Sequence, residues 1–397
     1  MPSTIELGRR NAIPILYTRG THYEVGFDVG RTFSGLIQSF LSSYKELNDI
    51  YLPLYETEAG RKVYEETLQS VKDNFPQYVR EMEGTADGAG VPFHKLFLLH
   101  LDDIVSNVIH GPSKSQYINC NGCSSICCNQ PGEEVLGHTE DALNIVLNHF
   151  YFVSAHIISE TPQGRWGVKE ERFTSLCYAG HLPGFTMSYN HHGLVFSVNV
   201  ISAKKLVSGK TPRYFLTRAM LGAENMVQVQ QILRDKGCGA AEGFSINMTF
   251  LRQEGDRLFH NAEVSPAADG AMESGLSILT ASPGEFFVHC NKYLRLQTPE
   301  IGGCIMESSN HRHATMSKMP VPLNRKDVIN MLGDQSDPEY MVFRDSKRGE
   351  YVKTVAVGIF DCVAKTWSIY SDNPKTNEPI VVLPLVLTSE SKKSQTL

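Results

Sequence analysis

The sequence predicts an α+β protein in which two packed β-sheets lie between outer layers of helices, a four-layer αββα sandwich. Helical patterns fill residues 22–110, and short strand-like runs separated by Gly and Pro take over from residue 123. A helix pair interrupts the strands before they resume, which is typical of sheets that pack together with helices outside. We therefore divide the chain into a helical segment, 1–122, and a segment 123–397 that carries the sheets.

The helical segment is predicted to contain three main helices. The first keeps apolar side chains at three- and four-residue spacing over 33–51, and the second runs over 60–83. Pro76 should kink or split the second helix, because proline lacks the backbone N–H that a helix interior needs. A glycine-rich turn at 86–92 leads into the third helix, which is expected at 93–108.

Short apolar and alternating runs predict the strands of the second segment. Strands are expected at 123–128, 135–138, 152–158, 172–177, 193–200, 244–252, 257–262, 276–281, 354–360 and 366–370. Helices are expected at 212–221, 224–234 and 326–332. The polar tail beyond Glu390 is expected to be disordered, because it holds too few apolar side chains to bury.

Composition excludes several classes of protein. The 397 residues are 41% hydrophobic and 20% charged, which is ordinary for a globular chain. A net charge of −6 argues against a nucleic-acid partner, which usually requires a basic surface. No apolar run reaches the ~18 residues of a membrane span, so no membrane partner is predicted. The N-terminus lacks a secretory signal, so we expect a cytoplasmic protein whose nine cysteines are mostly reduced.

The step between Gly122 and Cys123 is the strongest chemical signal, because the chain is well suited to cut itself there. Cleavage would leave Cys123 with both a thiol and a free α-amine. The amine has a reference pKa of about 7.7–8.0, so it can take the proton of its own thiol near neutral pH. Glycine lacks a Cβ and allows the tight bend that brings the thiol to the preceding carbonyl. Asp141 follows 18 residues after Cys123.

Four cysteines, at 120, 123, 127 and 128, suggest an alternative of another class: a zinc- or redox-responsive binding module. Structural zinc usually needs a second ligand pair a dozen or more residues away, and none follows. Strand alternation would also point Cys127 and Cys128 to opposite faces. We therefore favour small buried core residues for this pair and predict neither a metal nor a cofactor.

Two histidine groups and one glycine-rich segment receive structural interpretations. The groups at 191–192 and 311–313 have no helical i, i+4 spacing and no nearby carboxylate pair, so we expect them on surface loops. The segment 237–243 resembles a phosphate-binding loop only faintly. It follows a helix and precedes a strand, the reverse of what a dinucleotide site requires, so a turn is predicted there.

The motifs 122–125 (Gly-Cys-Ser-Ser) and 135–141 (Val-Leu-Gly-His-Thr-Glu-Asp) resemble those of the acyltransferases that exchange the side chain of isopenicillin N. These enzymes belong to the N-terminal-nucleophile hydrolases, whose fold is the αββα sandwich. The resemblance covers nearly the whole chain. Further matching segments lie at 83–90, 179–184, 190–194, 288–291 and 343–345.

The resemblance implies a role for each matching side chain. The Cys123 sulfur would attack an amide carbonyl, with its own freed amine as the base, and Asp141 would orient and charge-balance that amine. Asn291 would donate to the oxyanion, and Arg344 would hold Asp141 and the nucleophile in place. Self-cleavage after Gly122 would yield two chains that stay associated as a heterodimer.

The chain length and the position of the Gly-Cys step are similar to the insect branch of this family, which hydrolyses N-β-alanyl amines. That similarity implies a small amide substrate with a cationic acyl group, split to β-alanine and dopamine or histamine. Proximity in sequence makes Glu140, Tyr178, Phe185 and Tyr189 candidates for binding it, with Thr139-Glu140 standing where the family often has Asn-Trp. Acyl transfer dependent on coenzyme A stays an alternative, because both reactions share the steps up to the thioester.

Overall fold

The computed structural model describes residues 9, 11–101, 104–111, 122–345 and 352–388. Within these residues two sheets form. The larger has the spatial order β1 (Ile15–Gly20), β4 (Phe150–Gln163), β5 (Val168–Tyr178), β6 (Met187–Asn190), β7 (Leu194–Ile201), β8 (Gly243–Phe250), β9 (Phe259–Ser265) and β10 (Gly275–Ala281). The smaller has the order β11 (Glu285–His289), β2 (Ser124–Gln130), β3 (Glu133–Leu143), β12 (Val352–Asp361), β13 (Thr366–Tyr370) and β14 (Val381–Pro384).

Helices cover the outer faces of both sheets. In the N-terminal segment they are α1 (His22–Thr32), α2 (Ser34–Ser43), α3 (Leu52–Tyr55), α4 (Glu58–Asn74), α5 (Pro76–Ala89), α6 (Phe93–Leu101) and α7 (Ile104–His110), with a π-helical turn at Leu47–Tyr51. After Cys123 they are α8 (Arg213–Met220), α9 (Met226–Arg234), α10 (Cys304–Lys318) and α11 (Arg325–Leu332), with a 3₁₀ helix at Asn144–Asn148. None of the described helices is both long enough and apolar enough to span a membrane.

Strand β2 shows how the layers are built. The Ser125 hydroxyl points to the larger sheet and contacts Ser197 on β7 at 3.3 Å, and Cys127 joins the core between the sheets. Cys128 faces the other way, into a cluster with Met316 of α10 and Val328 of α11. The αββα prediction is confirmed, and so is the expectation that alternation separates the two adjacent cysteines.

The cysteines do not gather into a metal-binding cluster among the described residues. Cys120 lies outside them. The free thiols are all buried, and they are Cys123, Cys127, Cys128, Cys177, Cys238, Cys290 and Cys362. Cys304 is disulfide-bonded. Burial among apolar neighbours raises the pKa of Cys127, which suits a core residue rather than a metal ligand.

Several predicted boundaries in the N-terminal segment need correction. Pro76 does split the second helix, since α4 ends at Asn74 and α5 begins at the proline. The following turn is shorter than expected, because α5 continues to Ala89 and ends at Gly90, which has the left-handed φ of 66°. The segment is not wholly helical either, because β1 pairs in parallel with β4 at the edge of the larger sheet. The tail beyond Glu390 lies outside the described residues.

Helices α1 and α5 approach each other closely through glycines. A Cβ at Gly26 would lie 1.9 Å from the Glu81 carbonyl oxygen, and one at Gly84 would lie 2.1 Å from the Tyr23 carbonyl oxygen. No other residue fits at these positions, since real Cβ contacts are never so short. This contact explains the small residues around 83–90 and packs α5 against α1, the helix that contacts β1 and β4 of the larger sheet.

A buried ionic group joins the N-terminal helices to the second segment. The Arg218 guanidinium donates to Glu81 at 2.7 Å and to Glu171 at 2.6 Å, and His22 Nδ1 lies 2.8 Å from Glu81. All four side chains are buried. Burial would raise the pKa of Glu81, but Arg218 and His22 outweigh it and lower that pKa to about 2. The group therefore fixes α1 and α5 to α8 and β5.

Replacing Glu81 with Gln should destabilise the protein by about 3–5 kcal/mol, because the buried Arg218 charge loses one of its two carboxylate partners. Urea unfolding at pH 7 measures this change. Glu83→Gln on the same helix is the matched control, and its exposed pair with Arg80 should contribute less than about 1 kcal/mol. Equal stability of the two variants would contradict the ionic role of Glu81. Because the pKa of Glu81 is lowered, its contribution to the free energy of unfolding should be full above about pH 4.3 and should be lost as pH falls toward 2.

Candidate active site

Cys123 lies immediately before β2, where the two sheets face each other. Strand β3 runs antiparallel to β2, with Ser124 opposite Thr139, so the start of one strand lies beside Glu140 and Asp141 on the other. The Ser124 N–H also donates to the Thr139 hydroxyl at 3.0 Å. The 18-residue interval between Cys123 and Asp141 is therefore the length of one hairpin that returns to its starting point.

The Cys123 thiol is buried next to two carboxylates. Its sulfur lies 3.9 Å from Glu140 Oε1, and the thiol is only 5% exposed. Burial, then the negative charges of Glu140 and Asp141, raise the pKa of the Cys123 thiol well above its usual value. The thiol is therefore neutral at rest, and it needs a base at hand before it can attack.

Glu140 contacts Cys123, His138 and Tyr178. Its Oε1 accepts a hydrogen bond from the Tyr178 hydroxyl, and its Oε2 lies 3.1 Å from His138 Nε2. Glu140 is 4% exposed and His138 is fully buried. Tyr178 was a sequence candidate and lies in the site, whereas His138 was not considered.

Asp141 is anchored on the other side of the thiol. Its Oδ1 accepts a hydrogen bond of 2.6 Å from the Thr354 hydroxyl, and its Oδ2 lies 3.6 Å from Arg344 Nε. No described group donates a hydrogen bond to Oδ2, although this atom is fully buried. Burial raises the pKa of Asp141, while Arg344, Arg312 and Thr354 oppose that rise. One carboxylate oxygen thus accepts a hydrogen bond, and the other has only the longer ion pair with Arg344.

Three side chains hold the backbone of Cys123. Its N–H donates to Asn291 Oδ1 at 2.8 Å, and its carbonyl accepts from Asn199 Nδ2 at 2.9 Å and from Arg312 Nη1 at 2.8 Å. Gly122 fits against this group because a Cβ there would lie 2.4 Å from Arg312 Nη2 and 2.7 Å from Asn291 Oδ1. The glycine before the nucleophile is therefore required by close approach as well as by bending.

The side-chain amide of Asn291 has a fixed orientation. Arg312 Nη2 donates to Asn291 Oδ1 at 2.8 Å, and a guanidinium has no acceptor, so the oxygen must face it. The amide nitrogen then donates to the Val200 carbonyl at 2.9 Å. An oxyanion donor at this position would have to use the second hydrogen of the same nitrogen.

Arg312 is the main site residue that sequence reasoning missed. The triplet 311–313 was expected on a surface loop, but it lies within α10, and Arg312 is fully buried. The buried face of this helix includes Ser308, Ser309 and Arg312, so it lacks the apolar stripe that reveals a helix in a sequence. The Ser308 hydroxyl accepts from both Arg312 and Arg344, which ties the two guanidinium groups together.

Two other sequence expectations are corrected by the contacts. His191 is buried rather than exposed, and its Nδ1 lies 3.2 Å from the Arg172 backbone N–H. Tyr189 packs edge-on against Trp367, and its hydroxyl donates to the Pro384 carbonyl at 3.2 Å. It lies opposite Thr174 of β5, four residues along that strand from Tyr178, so its side chain contacts the C-terminal strand rather than the Cys123 group.

Aromatic rings extend the site beyond Glu140. Tyr178 lies edge-on to Phe185 at 6.1 Å between ring centroids, and Phe185 lies 4.2 Å from Tyr214. His181 joins them at 5.7 Å from Tyr178, and burial lowers its pKa to about 4, so it is neutral at physiological pH. Phe185 and His181 are half-exposed. They form an apolar, uncharged wall next to the thiol.

One group of side chains in the described residues has the composition and spacing of metal ligands. The Cys123 sulfur, a His138 nitrogen and a Glu140 oxygen all lie within 4.8 Å of one another, and all three residues are buried. We weighed a metal only for the cysteines at 120–128, and the sequence did not reveal this set because Cys123 and the β3 residues meet only through the hairpin.

Comparisons with known proteins agree with the geometry. Residues 128–376 match the family described as acyl-coenzyme A:6-aminopenicillanic acid acyl-transferase. The chain is also 54% identical over 383 residues to the β-alanyl-dopamine/carcinine hydrolase of Drosophila melanogaster. That alignment covers 96% of this chain and 98% of the fly protein.

Replacing Arg312 with Met should slow the cleavage predicted after Gly122 by about 100-fold, because the Cys123 carbonyl and Asn291 Oδ1 each lose one of two donors. Mass spectrometry of freshly purified protein measures the fraction that begins at Cys123. His311→Ala is the control, since this half-exposed neighbour on α10 pairs with Asp337 at the surface. Wild-type cleavage in Arg312→Met would show that the guanidinium only fills space.

Proposed function

The chain belongs to the acyl-coenzyme A:6-aminopenicillanic acid acyl-transferase family, and from this premise we propose that it hydrolyses N-β-alanyl amines. The products would be β-alanine and a free amine such as dopamine or histamine. The observation that carries the proposal is the buried pair of Cys123 and Glu140, a nucleophile 3.9 Å from a carboxylate. The near full-length identity to the fly β-alanyl-dopamine/carcinine hydrolase supports the same substrate class.

The reaction begins with maturation of the nucleophile. We propose that the thiol attacks the Gly122 carbonyl and that its proton passes to the Cys123 nitrogen as the C–N bond breaks. Hydrolysis of the resulting thioester then leaves Cys123 with a free thiol and a free α-amine. Turnover needs this α-amine as a general base, because the raised pKa of the buried thiol leaves few thiolates without one. Asp141 supports this role, since its buried Oδ2 has no hydrogen-bond donor among the described residues and can take the ammonium that forms.

Turnover then follows one cycle of acylation and deacylation. The α-amine removes the thiol proton, the sulfur attacks the amide carbonyl, and the ammonium returns that proton to the leaving amine as the C–N bond breaks. Water attacks the thioester with the same amine as base and releases β-alanine. We assign oxyanion donation to the second N–H of Asn291, worth about 2.7–4 kcal/mol for groups of this kind. Arg344 and Thr354 hold Asp141 against the amine.

Glu140 is the proposed receptor for the β-alanyl ammonium. Only two carbons separate that ammonium from the scissile carbonyl, so it must lie close to the Cys123 sulfur, as Glu140 does. A buried carboxylate strongly favours a cationic group, because an uncharged ligand would leave it desolvated and unpaired. Tyr178 fixes the orientation of Glu140, and the wall formed by Phe185, Tyr214 and His181 suits an aromatic leaving amine.

We further propose that residues 1–122 stay bound after cleavage as the partner of 123–397. Strand β1 remains hydrogen-bonded in the larger sheet, and the Arg218–Glu81 pair is buried between the two parts. Arg9 also donates to the carbonyls of Thr354 and Ser371 at 2.6 Å, directly behind Asp141. A cytoplasmic location stays a prediction.

Replacing Cys123 with Ala should abolish both self-cleavage and turnover, because it removes the nucleophile of both reactions. Cys127→Ala, four residues away in the core, should cost stability and leave cleavage intact. Denaturing electrophoresis and release of β-alanine measure the two outcomes. Two chains in the Cys123→Ala protein would disprove the central role of this thiol.

Replacing Glu140 with Gln should lower kcat/KM for β-alanyl-dopamine by about 10- to 100-fold, because the ammonium loses its ionic partner. The wild type should prefer this substrate over its propionyl analogue, and the variant should not. Glu133→Gln is the control, since this residue lies exposed on the same strand. Equal rates for both substrates in the wild type would refute the charge argument. Reaction only with phenylacetyl-coenzyme A and an amine acceptor would indicate acyl transfer instead.

A further inference from the structure

A row of buried amides leads from the protein surface to Cys123, and its hydrogen bonds have one direction. Arg295 can only donate, and its Nη2 lies 2.6 Å from Asn261 Oδ1. The Asn261 amide nitrogen must therefore donate to Asn247 Oδ1, at 2.8 Å, and the Asn247 nitrogen to Asn199 Oδ1, at 2.7 Å. The three amides lie on neighbouring strands β9, β8 and β7 and are fully buried.

The direction of this row fixes the state of His138. Asn199 Oδ1 cannot donate, so the Ser125 hydroxyl 2.9 Å away must give it its only hydrogen. His138 Nδ1, which lies 2.7 Å from the same hydroxyl oxygen, must then be the donor to it. Because Nδ1 makes this hydrogen bond, Nε2 is the His138 nitrogen that faces Glu140 and could bind a metal.

This nitrogen lies next to a carboxylate. His138 Nε2 and Glu140 Oε2 are 3.1 Å apart, so a shared proton or a metal cation can lie between them. The Cys123 sulfur lies 3.9 Å from the other oxygen of Glu140. Zinc bonds of about 2.0–2.3 Å place tetrahedral ligands roughly 3.3–3.6 Å apart, so these atoms could bind zinc with little movement.

We infer that the processed protein binds one Zn²⁺ through the Cys123 sulfur, His138 Nε2 and a Glu140 oxygen, and that this ion inhibits the enzyme. The inference rests on the proposed function for its fourth ligand, the α-amine of Cys123 that cleavage frees. Amine and sulfur of one cysteine close a five-membered chelate ring on a metal. The thiol releases its proton to solvent as the ion binds.

The surroundings of the three ligands match those of a zinc site. The Ser125 hydroxyl is hydrogen-bonded to His138 Nδ1, and the Tyr178 hydroxyl donates to Glu140 Oε1. Such second hydrogen bonds orient the ligands of zinc sites. Sulfur, imidazole and carboxylate together are typical zinc ligands. The ion would cover both the nucleophile and the proposed ammonium receptor, so inhibition should be competitive with β-alanyl amines.

The test uses tag-free processed protein whose N-terminus at Cys123 has been verified by mass spectrometry. Competition with a chromophoric chelator should show one zinc bound per molecule. Zinc should raise KM for β-alanyl-dopamine without changing kcat, and EDTA should restore the original rate. His138→Gln should weaken zinc binding by more than about 100-fold, and Ser125→Ala by about 10-fold or more through loss of the hold on Nδ1.

Cys238→Ser is the matched control, because Cys238 is another buried free thiol and contacts the hydroxyls of Ser70 and Thr211 instead. This variant should bind zinc as the wild type does. Absence of bound zinc in the processed protein, or unchanged binding in His138→Gln, would overturn the inference. Zinc binding without cleavage of β-alanyl-dopamine would refute the proposed function alone, and cleavage that is insensitive to zinc would refute the zinc site alone.

Discussion

Two guanidinium groups, those of Arg312 and Arg344, hold a buried thiol and two carboxylates together in one small volume. Cys123, Glu140 and Asp141 would repel one another if all were ionised without a counter-charge. Arg344 pairs with Asp141, and Arg312 binds the Cys123 carbonyl and lowers the energy of negative charge on the sulfur. The chemistry that we propose depends on this balance, because the guanidinium groups oppose the rise that burial causes in the pKa of the Cys123 thiol and of Asp141.

The helix α10 is where sequence reasoning failed most clearly, and the reason is physical. A helix is recognised in a sequence by an apolar stripe, but the buried face of α10 includes Ser308, Ser309 and Arg312. The polar face exists because the helix packs on a charged site rather than on a core. Asn199 was missed for the same reason, as a buried polar residue in a strand predicted only from its apolar neighbours.

The parts that were predictable depend on local constraints. The interval between Cys123 and Asp141 is a single hairpin, and the split at Pro76 follows from the proline itself. Strand β1 was not predictable from its own residues, because it exists through its pairing with β4, far along the chain. Tyr189 shows the limit of proximity in sequence, since it lies opposite Thr174, four residues along β5 from Tyr178, and its ring contacts Trp367 instead of the thiol.

The central claim is that Cys123 carries the acyl group during turnover. In the direct measurement, processed protein is mixed with excess β-alanyl-dopamine and quenched in acid within milliseconds. Mass spectrometry then measures the intact mass of the 123–397 chain. The account predicts a population heavier by one β-alanyl group, located on Cys123 by fragmentation and removed by hydroxylamine. Steady release of β-alanine with no adduct at any quench time, or an adduct on another residue, would contradict it.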